Sequence, residues 1–248
     1  MPELLVAMPA YNEELNIGAF LGKLLSLKLP VDFDILVVDD GSHDQTAAVA
    51  REYGVKIVSH IFNIGYGCAL QTAYKYATLH NYNYLIQIDA DGQHDIQNVA
   101  TIYRSLISDQ KPDLVIGSRF LSAENRLKTT FAKRTAIGFF RLAIRIFTGN
   151  KITDPTSGLQ GMNRKTFSHI AGFQNFFNDF PDANMIIQMM LNDFNVCEIG
   201  AVMHPRLSGK GMHNSKLESF SYVTIMTISV LVIVLREKVF HRKKKTSA

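Results

Sequence analysis

The feature that most constrains this chain is a series of short apolar segments alternating with helical patterns through its first 118 residues. The segments are LLVAMPA (4–10), DILVVDD (34–40), VKIVSH (55–60), YLIQIDAD (84–91) and DLVIGS (113–118). Between them, residues 13–27, 44–53, 67–80 and 95–109 place apolar side chains at helical spacing, as Leu15, Phe20, Leu24 and Leu27 do in the first. Strands that are apolar on both faces and joined through helices belong to a mostly parallel sheet covered on both sides. The pattern predicts an α/β fold, and 248 residues suffice to bury one main core.

Beyond residue 119 the pattern changes. Residues 132–148 read as a basic amphipathic helix with Arg134, Arg141 and Arg145 along one face. A Gly- and Thr-rich loop (153–161), a helix near 183–194 and a short strand (196–203) follow. Residues 220–235 carry no charge and lead to the basic run HRKKK (241–245). Sixteen residues of helix extend about 24 Å, short of a hydrocarbon core of roughly 30 Å. This segment is expected to lie in a membrane interface rather than to span it, with a helix buried in an oligomer as the alternative. Charge divides the same way. Residues 1–118 hold 7 Lys/Arg against 14 Asp/Glu, and residues 119–248 hold 19 against 8. A basic half suits an anionic partner, whether a phosphate-bearing ligand, an anionic membrane or nucleic acid, with an ordinary solvated basic face as the alternative. No nucleic-acid motif is present, and the phenylalanines of 131–147 suit lipid better than bases. Cys68 and Cys197 read as reduced core thiols, and the N-terminus lacks the basic flank of a secretory signal.

In open α/β sheets, ligands bind beyond the carboxyl ends of the strands. Polar residues collect there: Pro9-Ala10-Tyr11-Asn12-Glu13, Asp39-Asp40-Gly41-Ser42, Asn63-Ile64-Gly65-Tyr66-Gly67, Asp89-Ala90-Asp91-Gly92 and Gly117-Ser118-Arg119. Turns and helix caps explain any one of these stretches, but five on one edge point to a ligand. Asp89 and Asp91 stand two apart at a strand end, so their carboxylates face one side and repel unless a cation lies between them. Mg²⁺ or Mn²⁺ takes carboxylate and phosphate oxygens together, and would stabilise a departing diphosphate. A dinucleotide oxidoreductase is disfavoured, because its glycine fingerprint should stand where Pro9-Ala10-Tyr11-Asn12 does.

MPAYNEE, VVDDGSHDQT, NIGYGCALQTAY, DADGQHD, GSRF and DPTSG resemble, in order and spacing, the family 2 glycosyltransferases of the GT-A (Rossmann-like) fold. Within that family the chain is most similar to the dolichol- and polyprenol-phosphate sugar synthases, over about residues 3–215. The resemblance implies a catalytic domain at 1–215, followed by a hydrophobic helix and basic tail at 216–248. It implies that Pro9, Tyr11, Glu13, Asp40, Asn63 and Gly65 line the nucleotide site, with Asp89, Ala90 and Asp91 at the diphosphate and Arg206 closing over it. Asp89, Asp91 and Gln93 would bind Mg²⁺ or Mn²⁺. Arg119 and Arg134 would face the donor and acceptor phosphates, while Asp154 and Ser157 border the sugar and the acceptor phosphate. The family's last motif often ends in a Ser-Lys pair where this chain has Met212, and Lys210 or Lys216 is the substitute. The synthases usually carry spanning helices or a helper subunit, so a small membrane partner or a homo-oligomer is expected here.

An acceptor phosphate is already anionic and attacks without a general base, whereas a hydroxyl needs one. Arginine binds phosphate bidentately, so the basic half favours the phosphate. The expectation is an inverting transfer from a UDP- or GDP-sugar to polyprenyl phosphate at the cytoplasmic face of the membrane. A second reading is transfer to a hydroxyl of a cell-wall or surface polysaccharide or its lipid-linked precursor, with Asp154, Asp179 or Asp182 as base. A third is a non-catalytic nucleotide-binding scaffold. His94 and His204 read as surface or supporting groups, and Phe176, Phe177 and Phe180 as an acceptor-side loop.

Overall fold

The computed structural model describes residues 2–121, 131–172, 181–205 and 216–246. Seven strands form one sheet: β1 (Leu4–Ala10), β2 (Phe33–Asp39), β3 (Lys56–Ser59), β4 (Tyr84–Gln87), β5 (Leu114–Ser118), β6 (Gln160–Asn163) and β7 (Val196–Gly200). Their spatial order is β3-β2-β1-β4-β6-β5-β7. The pairs β1–β2, β1–β4, β2–β3 and β5–β7 are parallel, and β6 runs antiparallel between β4 and β5. The helices are α1 (Glu14–Leu25), α2 (Thr46–Glu52), α3 (Tyr66–Leu79), α4 (Gln97–Leu106), α5 (Phe131–Thr148), α6 (Arg164–Ala171), α7 (Ala183–Leu191) and α8 (Lys216–Thr246).

Every residue of β1 is buried, as its unbroken apolar run requires of a central parallel strand. Side chains alternate across the sheet. Leu4, Val6 and Met8 pack with Leu21 of α1, Ala50 of α2 and Ile102 of α4. Leu5 and Ala7 face the opposite core, built from Leu70 of α3, Phe140 of α5, Phe167 of α6, Ile186 of α7 and Val230 of α8.

The structure differs from the sequence pattern at three places. β4 stops at Gln87, so Asp89 and Asp91 stand in the loop beyond the strand. Residues 160–163 form β6 where a loop is expected to run to 161, and α6 follows at once, its N-terminus capped by Asn163. QGMN carries no apolar run, which hides the strand. Burial makes it possible: a Cβ at Gly161 would fall 2.2 Å from Ile102 Cγ2, so only glycine lets α4 lie against β6. Lastly, α8 extends well past 220–235 at both ends. Met226, Val230, Ile233 and Val234 of α8 are buried in the core, while Ile228 and Leu235 are exposed. Among the described residues, no helix is long and apolar enough to cross a membrane.

Candidate active site

The carboxyl ends of β1 and β2 are stitched together by their loops. Asn12 adopts a left-handed backbone (φ 54°) that turns the chain out of β1. Its N–H donates to Ser42 Oγ (3.0 Å), and its side-chain oxygen accepts from His43 N (2.9 Å). Glu13 N donates to Thr46 Oγ1 (2.7 Å) and Glu14 N to Asp44 Oδ2 (3.1 Å). This lip carries Pro9, buried, and Tyr11, exposed with its ring edge-on to His43. Asp40 is buried and faces the third loop. Its carboxylate accepts from Ile64 N (3.1 Å) and Gly65 N (2.9 Å) and pairs with His60 Nδ1 (2.7 Å). Asp40 therefore shapes the wall that holds Asn63 and Gly65. Gly41 (φ 68°) permits the approach, since a Cβ there would meet the Phe62 carbonyl carbon at 2.5 Å.

β6 explains how the DPTSG loop reaches this edge. Running against β4 and β5, it starts beside their carboxyl ends, with Gln160 opposite both Gln87 and Ile116. Gln87 Nε2 donates to Gly158 O (3.0 Å), and the Tyr74 hydroxyl donates to Gln87 Oε1. A Cβ at Gly158 would lie 2.7 Å from Asp89 Oδ2, so this glycine leaves the carboxylate its space. The Tyr66 hydroxyl donates to Asp89 Oδ1 (2.9 Å), and His94 Nε2 stands 3.6 Å from Oδ2. Burial raises the Asp89 pKa, but His94, the Tyr66 hydrogen bond and the Arg119 charge outweigh it, and the carboxyl sits below its ordinary value. Burial, then the Asp89 and Asp182 charges, push the Tyr66 phenol well up, so it remains a donor. Asp91 Oδ1 accepts from Gln93 N (3.0 Å) across Gly92 (φ 72°).

Asp89, Asp91 and Gln93 could offer oxygen donors alone, the chemistry that Mg²⁺ and Mn²⁺ take. Among the described residues, no three His, Cys, Asp or Glu side chains gather into a cage.

Arg119 and Asp154 form the second cluster. Arg119 grips the carboxylate bidentately, Nε to Oδ2 and an Nη to Oδ1, both at 2.7 Å, and its backbone N–H donates to Oδ2 at 2.9 Å. The same guanidinium reaches Thr156 Oγ1 (2.8 Å). Burial lowers the Arg119 pKa, but the Asp154, Asp182 and Asp89 charges outweigh it, so the cation is secured. Asp154 is wholly buried and engaged on both oxygens, an arrangement that orients Arg119 rather than one open to a substrate proton. Glu198 of β7 accepts from Thr153 N (2.6 Å) and Asp154 N (2.8 Å), fixing the loop. Ser157 is buried and donates to Gly117 O (2.6 Å), closing the loop onto β5. Arg141 of α5 donates to Thr153 O (2.7 Å) and lies over the Phe120 ring. Arg134, on the same helix, is exposed.

The structure thus brings together Asp89, Arg119, Asp154 and the electrostatic neighbour Asp182. Arg206, Lys210, Met212, Asp179, Phe176, Phe177 and Phe180 lie outside the described residues. His94 is buried beside Asp89, whereas His204 is half-exposed and pairs with Asp95 at 2.9 Å. Sequence reasoning missed Tyr66, Thr156 and Glu198. Tyr66 had a signal, since it follows the glycine of NIGYG, but nothing in the sequence showed that its hydroxyl reaches Asp89 in the loop after β4.

The same architecture occurs in glucosyl-3-phosphoglycerate synthase from Mycobacterium tuberculosis, solved with Mn²⁺, UDP-glucose and phosphoglyceric acid. The TM-score is 0.69 at 19% identity, covering 94% of this chain and 80% of that one. The fold is that of the GT-A glycosyltransferases. Residues 5–171 match the family model described as Glycosyl transferase family 2, and the chain belongs to that family. It is 34% identical over 170 residues to an uncharacterized protein of Methanocaldococcus jannaschii, covering 68% of each chain. It is 28% identical over 172 residues to polyprenol monophosphomannose synthase of Mycolicibacterium smegmatis, covering 67% of this chain and 63% of that one.

Proposed function

We propose that this protein transfers a sugar from a nucleotide diphosphate-sugar to a polyprenyl phosphate at the cytoplasmic membrane face, with inversion. The observation that carries the acceptor is the surface of α5 and α8. The two helices enclose an apolar groove of about 190 Å³ lined by Phe139, Leu142, Ile146, Phe147 and Leu231, among others. Leu142 and Ile146 are 55% and 65% exposed, with the charged Arg145 exposed beside them. An exposed apolar surface rimmed with arginine suits the junction of lipid chains and anionic head groups. The named synthase from Mycolicibacterium smegmatis supports the same acceptor class.

In this reading Pro9, Tyr11, Glu13 and the wall held by Asp40 receive the nucleotide. Asp89, Asp91 and Gln93 would hold Mg²⁺ or Mn²⁺, which supplies Lewis-acid stabilisation of the departing diphosphate. Arg119, oriented by Asp154, presents a fixed cation beside Asp89, and Arg134 attracts the lipid phosphate. An acceptor phosphate oxygen attacks the anomeric carbon as the bond to the diphosphate oxygen breaks. No proton transfer is needed.

Asp182 sustains a second reading. Its charge acts on both Tyr66 and Arg119, where a base for a hydroxyl acceptor would stand. A transfer assay separates the two. Purified protein is given Mn²⁺ or Mg²⁺, radiolabelled nucleotide-sugars and undecaprenyl phosphate, and label in the organic phase is counted. Lipid-soluble label from one donor is the expected result. Donor hydrolysis without lipid label favours the hydroxyl acceptor, and neither product overturns the catalytic reading in favour of a nucleotide-binding scaffold.

A further inference from the structure

We propose that Tyr66 and His94 are positioning residues that set Asp89 for the divalent cation, one acting on each carboxylate oxygen. The inference rests on the metal reading above and adds the residues that aim its first ligand. Tyr66 opens α3 directly after Gly65, whose backbone lies at φ 105° and whose N–H is held by Asp40. The donor wall is thereby tied to the metal ligand in one path: Asp40 fixes Gly65, Gly65 places Tyr66, and the Tyr66 hydroxyl holds Asp89 Oδ1 at 2.9 Å.

His94 acts from the other side of the loop. It is 4% exposed, and its backbone bridges to Met203. Further contacts bind the same loop and the start of α4 to the segment after β7, among them Asp95 N to Val202 O (3.2 Å), His204 N to Gln93 O (2.6 Å) and Asn98 Nδ2 to Val202 O (2.8 Å). The ring is thus fixed in place. Its Nδ1 is buried with no hydrogen-bond partner among the described residues, while Nε2 faces Asp89 Oδ2. A buried, unpartnered ring nitrogen costs stability that an apolar side chain of similar volume would not. The imidazole is explained by its Nε2 edge. At 3.6 Å that edge lies just beyond hydrogen-bond length, close enough to donate to the carboxylate after a small approach. A carboxylate offers about four lone-pair sites. Tyr66 and His94 claim one on each oxygen and leave the others for the cation.

Groups that orient a ligating carboxylate typically change metal affinity by about 10- to 100-fold. The test is a Mn²⁺ titration of the purified full chain in the presence of UDP, followed by the electron paramagnetic resonance signal of free Mn²⁺. The variants are Tyr66→Phe, His94→Asn, His94→Gln and Asp91→Asn, each checked for an unaltered unfolding midpoint. A Gln amide nitrogen falls near Nε2 and an Asn amide nitrogen near Nδ1. Tyr66→Phe and His94→Asn are expected to weaken Mn²⁺ binding at least about tenfold, and His94→Gln to stay within about threefold of the parent protein. A purely structural His94 would not separate Gln from Asn. Parent-like affinity in both Tyr66→Phe and His94→Asn, or equal losses in the two His94 variants, overturns the inference while leaving the metal reading standing. Parent-like affinity in Asp91→Asn, or no Mn²⁺ uptake by the parent, overturns the metal reading and this inference with it.

Discussion

The proposed donor side and the proposed acceptor side of this molecule are organised by different means. On the donor side, the loops after β1, β2, β3 and β4 are fixed by short bonds between backbone N–H groups and carboxylate or hydroxyl oxygens: Asp40 to Ile64 and Gly65, Ser42 to Asn12, Asp44 to Glu14. On the acceptor side, one buried ion pair, Arg119–Asp154, orients the site, and the helices next to it leave apolar side chains in the open. The difference teaches where each kind of specificity resides. A nucleotide diphosphate is small, polar and identical at every turnover, so a rigid polar edge matches it. A long apolar acceptor, if that is the substrate proposed above, would be matched by a surface that excludes water along its length and a few cations at its head.

The largest expected effect tests the donor side. Asp91→Asn removes one carboxylate from the metal set while retaining the oxygen that accepts from Gln93 N. Turnover should fall about 10³-fold, corresponding to the several kcal/mol a Lewis acid supplies, with the unfolding midpoint unchanged. Turnover within a few fold of the parent would remove the metal from this edge. Next comes the ion pair of the acceptor side, Arg119–Asp154. Asp154→Asn leaves Arg119 partly buried without its counter-ion, and breaking such a pair costs about 3 kcal/mol. Denaturant unfolding measures it, and a loss under about 1 kcal/mol would mean that Arg119 is held chiefly by Thr156. The contrast between the two variants is the point: the first should abolish activity in a stable protein, and the second should unsettle the protein itself.

The apolar groove between α5 and α8 gives the third effect. Leu142→Glu and Leu231→Glu change groove residues that are half-exposed, so neither should disturb folding. If the groove meets lipid, each should weaken partition into anionic vesicles about tenfold, the value of burying part of one leucine. Unchanged sedimentation with vesicles in both variants would detach α5 and α8 from the membrane.

The two sides were also unequally legible in the sequence. The donor side follows rules of short range: apolar runs make strands, and polar residues after each strand mark the ligand edge. Asp89, Asp91 and Asp40 were singled out that way, although β4 ends at Gln87, short of both Asp89 and Asp91. The acceptor side depends on partners distant in the chain. β6 was missed because Gln160-Gly161-Met162-Asn163 has no hydrophobic signature, and its burial follows from α4 packing on Gly161. Asp154 was singled out, but its pairing with Arg119, 35 residues away, was not, and nothing local in VCEIG announces that Glu198 would hold the backbone of Thr153 and Asp154. The breadth of α8 was underestimated because its charged ends mask a helix whose centre is buried on one side only.

The smallest effect concerns Asp113, an acidic residue that stands at the start of β5, away from the ligand edge. Its carboxylate accepts from Asn195 N (2.9 Å), Asn163 Nδ2 (2.8 Å) and Lys165 Nζ (3.1 Å), joining β5, β6 and β7 at their far end. Burial raises its pKa, but the Asn195, Asn163 and Lys165 interactions outweigh that and hold the carboxyl below the ordinary range. A folded-state value below the unfolded one gives stability that is fully present above the unfolded pKa of about 3.9 and is lost as pH falls through the folded value. Asp113→Asn should therefore cost about 1–2 kcal/mol at neutral pH, with the deficit shrinking once the pH drops below about 4. Lys165 is well exposed, so Lys165→Met should cost under about 0.5 kcal/mol, leaving the amide donors as the main support. Equal losses in the two variants would place the anchor in the ion pair instead. A pH-independent deficit in Asp113→Asn would show that the site loses packing rather than charge. Equal losses would blunt the contrast, because β5, β6 and β7 would then be joined by a surface ion pair rather than by buried amide donors.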